Sequence, residues 1–169
     1  MNVLSWNVRG LNSRDKQLDV KNFLKSEKAD LICLIDSKIQ PNHQDRTCRF
    51  ICPDFSYAFS PEGRIGLLWN PSCFAIQVIE ANLQFIHFRA TPLVCSITSF
   101  LVTAVYASNS PSDRILLWNH LIRISDHLEP WLICGDFNEV IFNHEKVGGR
   151  PINSRRVRKF NECLEACSL

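Results

Sequence analysis

Residues 30–38 read "DLICLIDSK", an unbroken apolar run from Leu31 to Ile35 that ends abruptly at Asp36. A strand that is polar on neither face must be covered on both, so a chain containing one needs layers above and below it. Two other stretches finish in the same way. "NVLSWNVRG" (2–10) reaches Asn7, and "WLICGDFNEV" (131–140) runs through Gly135 into Asp136, Asn138 and Glu139.

Outward from 30–38, "NVLSWNV" (2–8) reads as a first strand, and Ser13 as the cap of a helix from Arg14 to about Glu27. Val20, Phe23, Leu24 and Glu27 fall at helical spacing there. Residues 37–54 show no clean period and read as loop or irregular helix. Five β-like segments follow, "FSYAFS" (55–60), "RIGLLWN" (64–70), "FAIQVIEA" (74–81), "QFIHFRAT" (84–91) and "SITSFLVTAVYAS" (96–108). Pro61, Gly63, Pro71 and Pro92 punctuate them as in an antiparallel meander. A second helix spans 110–130, with Ser110 as cap, Pro111 at its first position, Leu117, Leu121, Ile124 and Leu128 inward, and Pro130 as its stop. A buried strand "WLICGDF" and a third helix from Ser154, with Val157, Phe160 and Leu164 inward, complete the order. The fold class is therefore α/β, a layered α/β sandwich of two mixed sheets with helices outside.

The chain of 169 residues suits a single domain, 1–169. With 46% hydrophobic and 21% charged residues it is neither disordered nor membrane-spanning, and a net charge of +2 excludes no partner class. Eight cysteines include no CxxC pair, and the two C-x3-C spacings (48/52 and 163/167) lack the histidines of a zinc site. Reduced thiols, an intracellular setting and no disulfide-linked partner are expected. No basic leader is read at the start, and no oligomeric state is fixed.

Carboxylates beside a core are unfavourable unless something pairs them. A hard divalent cation would do so, because Mg²⁺ takes oxygen ligands, often one or two carboxylates with waters and a phosphate. Asn7 and Asn138 add groups that both donate and accept. Asp136 and Asn138 would face the same way if the strand persists that far. The alternative is that all of these are turn and cap residues, and Tyr106 a strand-end aromatic whose hydroxyl finds any partner.

"LSWNVRG", "LICLIDSK", "VYAS" and "ICGDFNEV", in this order, resemble the endonuclease/exonuclease/phosphatase superfamily. "SWNVRGLNS", "GRIGLLWNP", "SDRILLW", "GDFNEV" and "EKVGGRP" are similar, more narrowly, to the endonuclease domain of non-LTR (LINE-type) retrotransposons. The resemblance implies a four-layered sandwich, Mg²⁺-dependent (or Mn²⁺-dependent) phosphodiester cleavage, DNA as partner and a nuclear location. It implies that Asp36 is the metal carboxylate and that Asn7 helps place metal or phosphate. Tyr106 would meet the scissile phosphate, Asp136 would orient or deprotonate the attacking water, and Asn138 would stabilise the phosphate.

Two departures stand out. The family's metal ligand is a glutamate in an "ETK"-like string, where this chain has Asp36 in "DSK", a carboxylate shorter by roughly 1.5 Å. The family's carboxyl-terminal "SDH"-like Asp–His pair has no counterpart, so the domain is expected to be incomplete at that end; Ser125, Asp126 and His127 lie inside the helical pattern before "GDFN". His43 and His144 read as loop residues, His120 as helical and His87 as a partly buried strand histidine with a satisfied ring. Arg9, Lys146, Arg150, Arg155 and Arg156, with Arg158 and Lys159 alongside, form either a DNA-phosphate grip or a solvated helix face. Three functions compete: a DNA-nicking endonuclease, a non-catalytic remnant keeping the fold and weak DNA or metal binding, and a small-molecule phosphoesterase.

Overall fold

The computed structural model describes residues 2–94, 96–145, 148 and 153–169. Its chain divides into two compact units, residues 1–106 with 129–136, and residues 107–128 with 137–169.

The first unit holds strands β1 (Val3–Asn7), β2 (Leu31–Ile35), β3 (Ser56–Phe59), β4 (Ile65–Trp69), β5 (Phe74–Ala81), β6 (Phe85–Pro92), β7 (Phe100–Tyr106) and β8 (Trp131–Asp136). They make two mixed four-stranded sheets, ordered β1-β2-β4-β3 and β5-β6-β7-β8. In the first, β1 runs parallel to β2 while β4 is antiparallel to both β2 and β3. In the second, β5, β6 and β7 form an antiparallel meander and β8 joins β7 in parallel. Because side chains alternate along a strand, β2 can feed two cores at once. Leu31, Cys33 and Ile35, with Ile65 and Leu67 of β4, meet Ile86, Phe88, Ala90, Val102 and Ala104 of the second sheet. Ile32, Leu34 and Leu68 point the other way, onto Val20 and Leu24 of helix α1 (Arg14–Glu27) and Cys48 and Ile51 of helix α2 (Gln44–Ile51). Every residue of β2 is buried, so the reading of 31–35 as a strand covered on both faces holds, as does the α/β sandwich of two mixed sheets. At about 1.5–3 kcal/mol for each fully buried large aliphatic side chain, this strand is the unit's main apolar anchor.

Two of the other strand readings need correction. Only β2 is buried throughout. β1 and β8 are edge strands, and Leu132 of β8 is 41% exposed, because each pairs along one side alone. Residues 37–54, read as irregular, contain a 3-10 turn (Pro41–His43) and α2, whose inward face is Thr47, Cys48 and Ile51. That short amphipathic face is interrupted by polar residues too often to show a period. The strand read over 96–108 begins only at Phe100.

The second unit is built on helices α3 (Pro111–Ile124) and α4 (Ser154–Ala166). Trp118 of α3 stacks on Phe160 of α4 with centroids 4.7 Å apart, and Phe137 leans on Phe160 at 5.4 Å. The second helix stops six residues short of Pro130. Ser125 Oγ donates to the Ile122 carbonyl, and Leu128, read as inward, lies beyond the helix and fully exposed. His127 likewise lies outside the helix. Ser110 occupies the cap position, but its hydroxyl meets Ser112 Oγ rather than a backbone amide; Ser13 does cap α1, accepting from the Lys16 amide. The described cysteines are all free thiols. Among the described residues, no helix is long and apolar enough to cross a membrane.

Candidate active site

Strand register assembles the site. Parallel pairing sets Asn7 beside Ile35, so Asp36 follows directly, and sets Tyr106 beside Asp136 in the other sheet. Asn7 Nδ2 donates to Asp136 Oδ2 at 2.6 Å, tying the end of β1 to the end of β8. The Tyr106 hydroxyl lies in the surroundings of the Asp36 carboxylate. Burial first, then the neighbouring Asp36 carboxylate and the negative charge of Asp136, push the Tyr106 hydroxyl above the usual tyrosine range, while Arg64 pulls the other way. Asn7, Asp36, Tyr106 and Asp136 thus meet within the first unit, from four strand ends.

The backbone here is unusual. Arg9, Asp36 and Lys38 have φ of 51°, 53° and 56°, left-handed values that Asp and Asn tolerate better than most residues. Such outliers persist where surrounding contacts over-determine them. Asp36 O accepts from the Gly10 amide at 2.6 Å, and the Arg9 amide donates to Asn7 Oδ1 at 3.1 Å.

Asp36 itself is 5% exposed and engaged on both oxygens. Arg64 Nη1 donates to Oδ1 at 3.0 Å, and Lys38 Nζ lies 3.1 Å from Oδ2. The sequence reading assigned no role to either cation. A signal existed: antiparallel pairing of Ile35 with Ile65 puts residue 64 opposite residue 36. Ser37 N donates to Arg64 O, and Ser37 Oγ to Gly63 O, so the β3–β4 turn is pinned to the segment after β2. Gly63 has a φ of +64°, and a Cβ there would come within 2.1 Å of the Ile39 carbonyl oxygen; only glycine fits.

Asn138 belongs to the second unit. The strand ends at Asp136, Asn138 has a φ of 48°, and its Nδ2 donates to the Ala107 carbonyl at 2.6 Å. Extension therefore does not persist, and the expectation that Asp136 and Asn138 share a face fails. Glu139 is the core of an ion triad in which Glu139 and Arg114 are buried and the Arg156 side chain is 42% exposed. Arg114 Nη2 donates to its Oε2 at 2.8 Å and Arg156 Nη2 to its Oε1 at 3.2 Å, while Arg114 Nη1 also holds the Ser108 and Asn109 carbonyls. Arg156 is thus occupied within its own unit, whereas Arg9 and Arg155 are exposed. Lys146 and Arg150 lie outside the described residues. His87, 4% exposed, shares Thr103 Oγ1 with the Trp131 indole and is a satisfied core histidine.

The first unit's cluster offers oxygen donors only: the carboxylates of Asp36 and Asp136, the amide of Asn7 and the hydroxyl of Tyr106. That set fits a hard cation such as Mg²⁺ and not a thiolate- or imidazole-seeking metal. Among the described residues, no group of three or more His, Cys, Asp or Glu side chains is assembled for a metal, so waters and substrate oxygens would have to complete the shell.

The mixed-sheet sandwich has known counterparts. The chain belongs to the Endonuclease/Exonuclease/phosphatase family, whose model matches residues 4–156. It is 27% identical over 149 residues to an exodeoxyribonuclease of Bacillus subtilis, an alignment covering 82% of this chain and 58% of that protein. It therefore spans little more than half of that relative's length. An AP endonuclease from Leishmania major superposes with a TM-score of 0.73 at 14% identity, over 96% of this chain and 65% of that one. An AP endonuclease from Archaeoglobus fulgidus gives 0.66 at 16% identity, over 98% and 70%. At those identities the structures establish the fold.

Proposed function

We propose that this chain carries the phosphodiester-cleaving site of a Mg²⁺-dependent DNA-nicking endonuclease of the non-LTR retrotransposon type. One observation carries the reading: four strand ends from two sheets deliver Asn7, Asp36, Tyr106 and Asp136 to one cluster. The DNA substrate is supported by the names of the relatives, an exodeoxyribonuclease and AP endonucleases. The retrotransposon type is supported by "SWNVRGLNS", "GRIGLLWNP" and "GDFNEV", and it brings with it a nuclear setting.

In this reading Asp36 and Asn7 hold the metal. When bound, it polarises a phosphoryl oxygen and offsets the charge that develops there. Asp136 orients the attacking water and takes its proton, and Asn7 fixes the carboxylate for that task through its 2.6 Å bond. Tyr106 serves as a hydrogen-bond donor to a phosphate oxygen, as a tyrosine hydroxyl protonated in the neutral range can. The phosphate-stabilising role of Asn138 rests on the family resemblance alone, its amide donating to the Ala107 carbonyl within the second unit. Arg9 and Arg155, with Lys146 and Arg150, supply backbone attraction to DNA without reading bases, whereas Arg156 is engaged by Glu139.

Nicking of supercoiled plasmid in Mg²⁺ tests this. The chain should convert supercoiled to open-circular DNA, and Asp136→Ala should lose at least about 100-fold in rate. Equal conversion by both proteins, or none by either, would retire the nuclease. A second reading, a folded remnant without catalysis, is favoured by the two cations on Asp36 and predicts no conversion at any metal concentration.

A further inference from the structure

Arg64 has no part in the cleavage mechanism above, yet its Nη1 lies 3.0 Å from Oδ1 of Asp36, the carboxylate assigned to the metal. We propose that Arg64, assisted by Lys38, occupies the divalent-cation position on Asp36, so that the metal must displace the Arg64 guanidinium and Arg64 sets the metal affinity. The inference rests on the assignment of Asp36 as metal carboxylate.

Three observations lead to it. First, each oxygen of Asp36 has its own cation, Arg64 on Oδ1 at 3.0 Å and Lys38 on Oδ2 at 3.1 Å. A Mg²⁺ ion binds carboxylate oxygen at about 2.1 Å, and it cannot share that face with two positive groups at little more than contact distance. Second, exposure is unequal: the Asp36 side chain is 8% exposed, those of Arg64 and Lys38 38% and 45%. The carboxylate has no water to turn to, whereas either cation can be rehydrated, so the cations are the partners that leave. Third, the Arg64 backbone cannot follow. Its carbonyl accepts from Ser37 N, and the preceding Gly63 is wedged beneath the Ile39 carbonyl. Exchange is therefore a side-chain rotation over a fixed turn.

Of the two cations Arg64 matters more. Its guanidinium offers planar, directed donors and is always charged, whereas an ammonium is a compact, strongly hydrated point charge. Its Cζ also lies 5.8 Å from the Tyr106 ring centroid, so a displaced guanidinium has an aromatic face alongside the site. There it stays charged beside the position proposed for the phosphate.

The test is Mn²⁺ binding by the full chain, read calorimetrically and by loss of the free-ion electron paramagnetic resonance signal, with no DNA present. Arg64→Gln should bind Mn²⁺ about tenfold more tightly than the parent, equivalent to about 1.4 kcal/mol. Arg64→Lys should stay near the parent, and Asp36→Asn should lose the site. Arg46→Gln removes an exposed charge elsewhere and should change nothing. The proposal is overturned if Arg64→Gln binds Mn²⁺ no better than the parent, including the case where neither binds, or if Arg46→Gln improves binding equally. Circular dichroism melts of the metal-free proteins confirm that each variant is folded. Plasmid nicking separates the two ideas. Tighter Mn²⁺ in Arg64→Gln without nicking anywhere removes the nuclease and keeps the competitor. Asp136-dependent nicking with unchanged Mn²⁺ affinity does the reverse.

Discussion

Asp36 and Glu139 are both carboxylates held between two cations, yet their surroundings make them opposites. Around Glu139 the side chains of Glu139 and Arg114 are 4% and 3% exposed, and Arg114 spends its remaining donors on two backbone carbonyls. Neither of these two can leave without stranding a charge away from water, so the Glu139–Arg114 pair is scaffold for the second unit, and only Arg156, 42% exposed, resembles the cations on Asp36. Around Asp36 the anion is buried but both cations reach solvent. Its partners can exchange, which a site needs and a scaffold does not. Burial of the cation, more than the count of ion pairs, distinguishes the two.

The sharpest way to break this contrast is Glu139→Ala, which leaves Arg114 buried and uncompensated. We expect a loss of about 3–5 kcal/mol in urea unfolding; a loss under about 1 kcal/mol would make the Glu139 triad no more structural than a surface pair. Next comes Asp36→Glu, which restores the glutamate of the related motif but asks it to adopt a φ of 53°. It should cost about 1–2 kcal/mol, because side chains other than Asp, Asn and Gly pay a steric penalty there. An unchanged midpoint would indicate a backbone free to relax. The smallest effect belongs to Asp36→Asn. Removing the charge from two pairs with part-exposed cations should shift stability by about 1 kcal/mol or less, and added salt should shrink the difference further. A salt-independent loss comparable to that of Glu139→Ala would erase the distinction.

Much of the fold was legible because β2 announces itself: five apolar residues in a row, bounded by Asp30 and Asp36, are the mark of a doubly covered strand. The Pro and Gly punctuation between 61 and 92 gave the meander, and Ser13 the start of α1. Helix α2 was missed because eight residues carry too little period to stand out among polar neighbours. The second helix was overextended because Leu128 continues the heptad spacing after the backbone has already turned at Ser125. At the site, Asn7, Asp36 and Asp136 were read from strand ends and Tyr106 from the family resemblance. Their meeting depends on register, as does the position of Arg64, and register is a property of pairs of strands. Whether extension persisted as far as Asn138 was left open, because a single left-handed residue after a strand leaves no trace in hydropathy.

The left-handed turn at Asp36 also bears on how positions like it change over generations. Asparagine and glycine can replace the aspartate there with little backbone penalty, while most other residues are turned away on steric grounds before any chemistry is considered. An acidic or amidic residue at 36 is therefore favoured partly by shape, whatever chemistry the site performs. The neighbours that bend the chain, Gly10 and Gly63, are the ones whose drift would tell first.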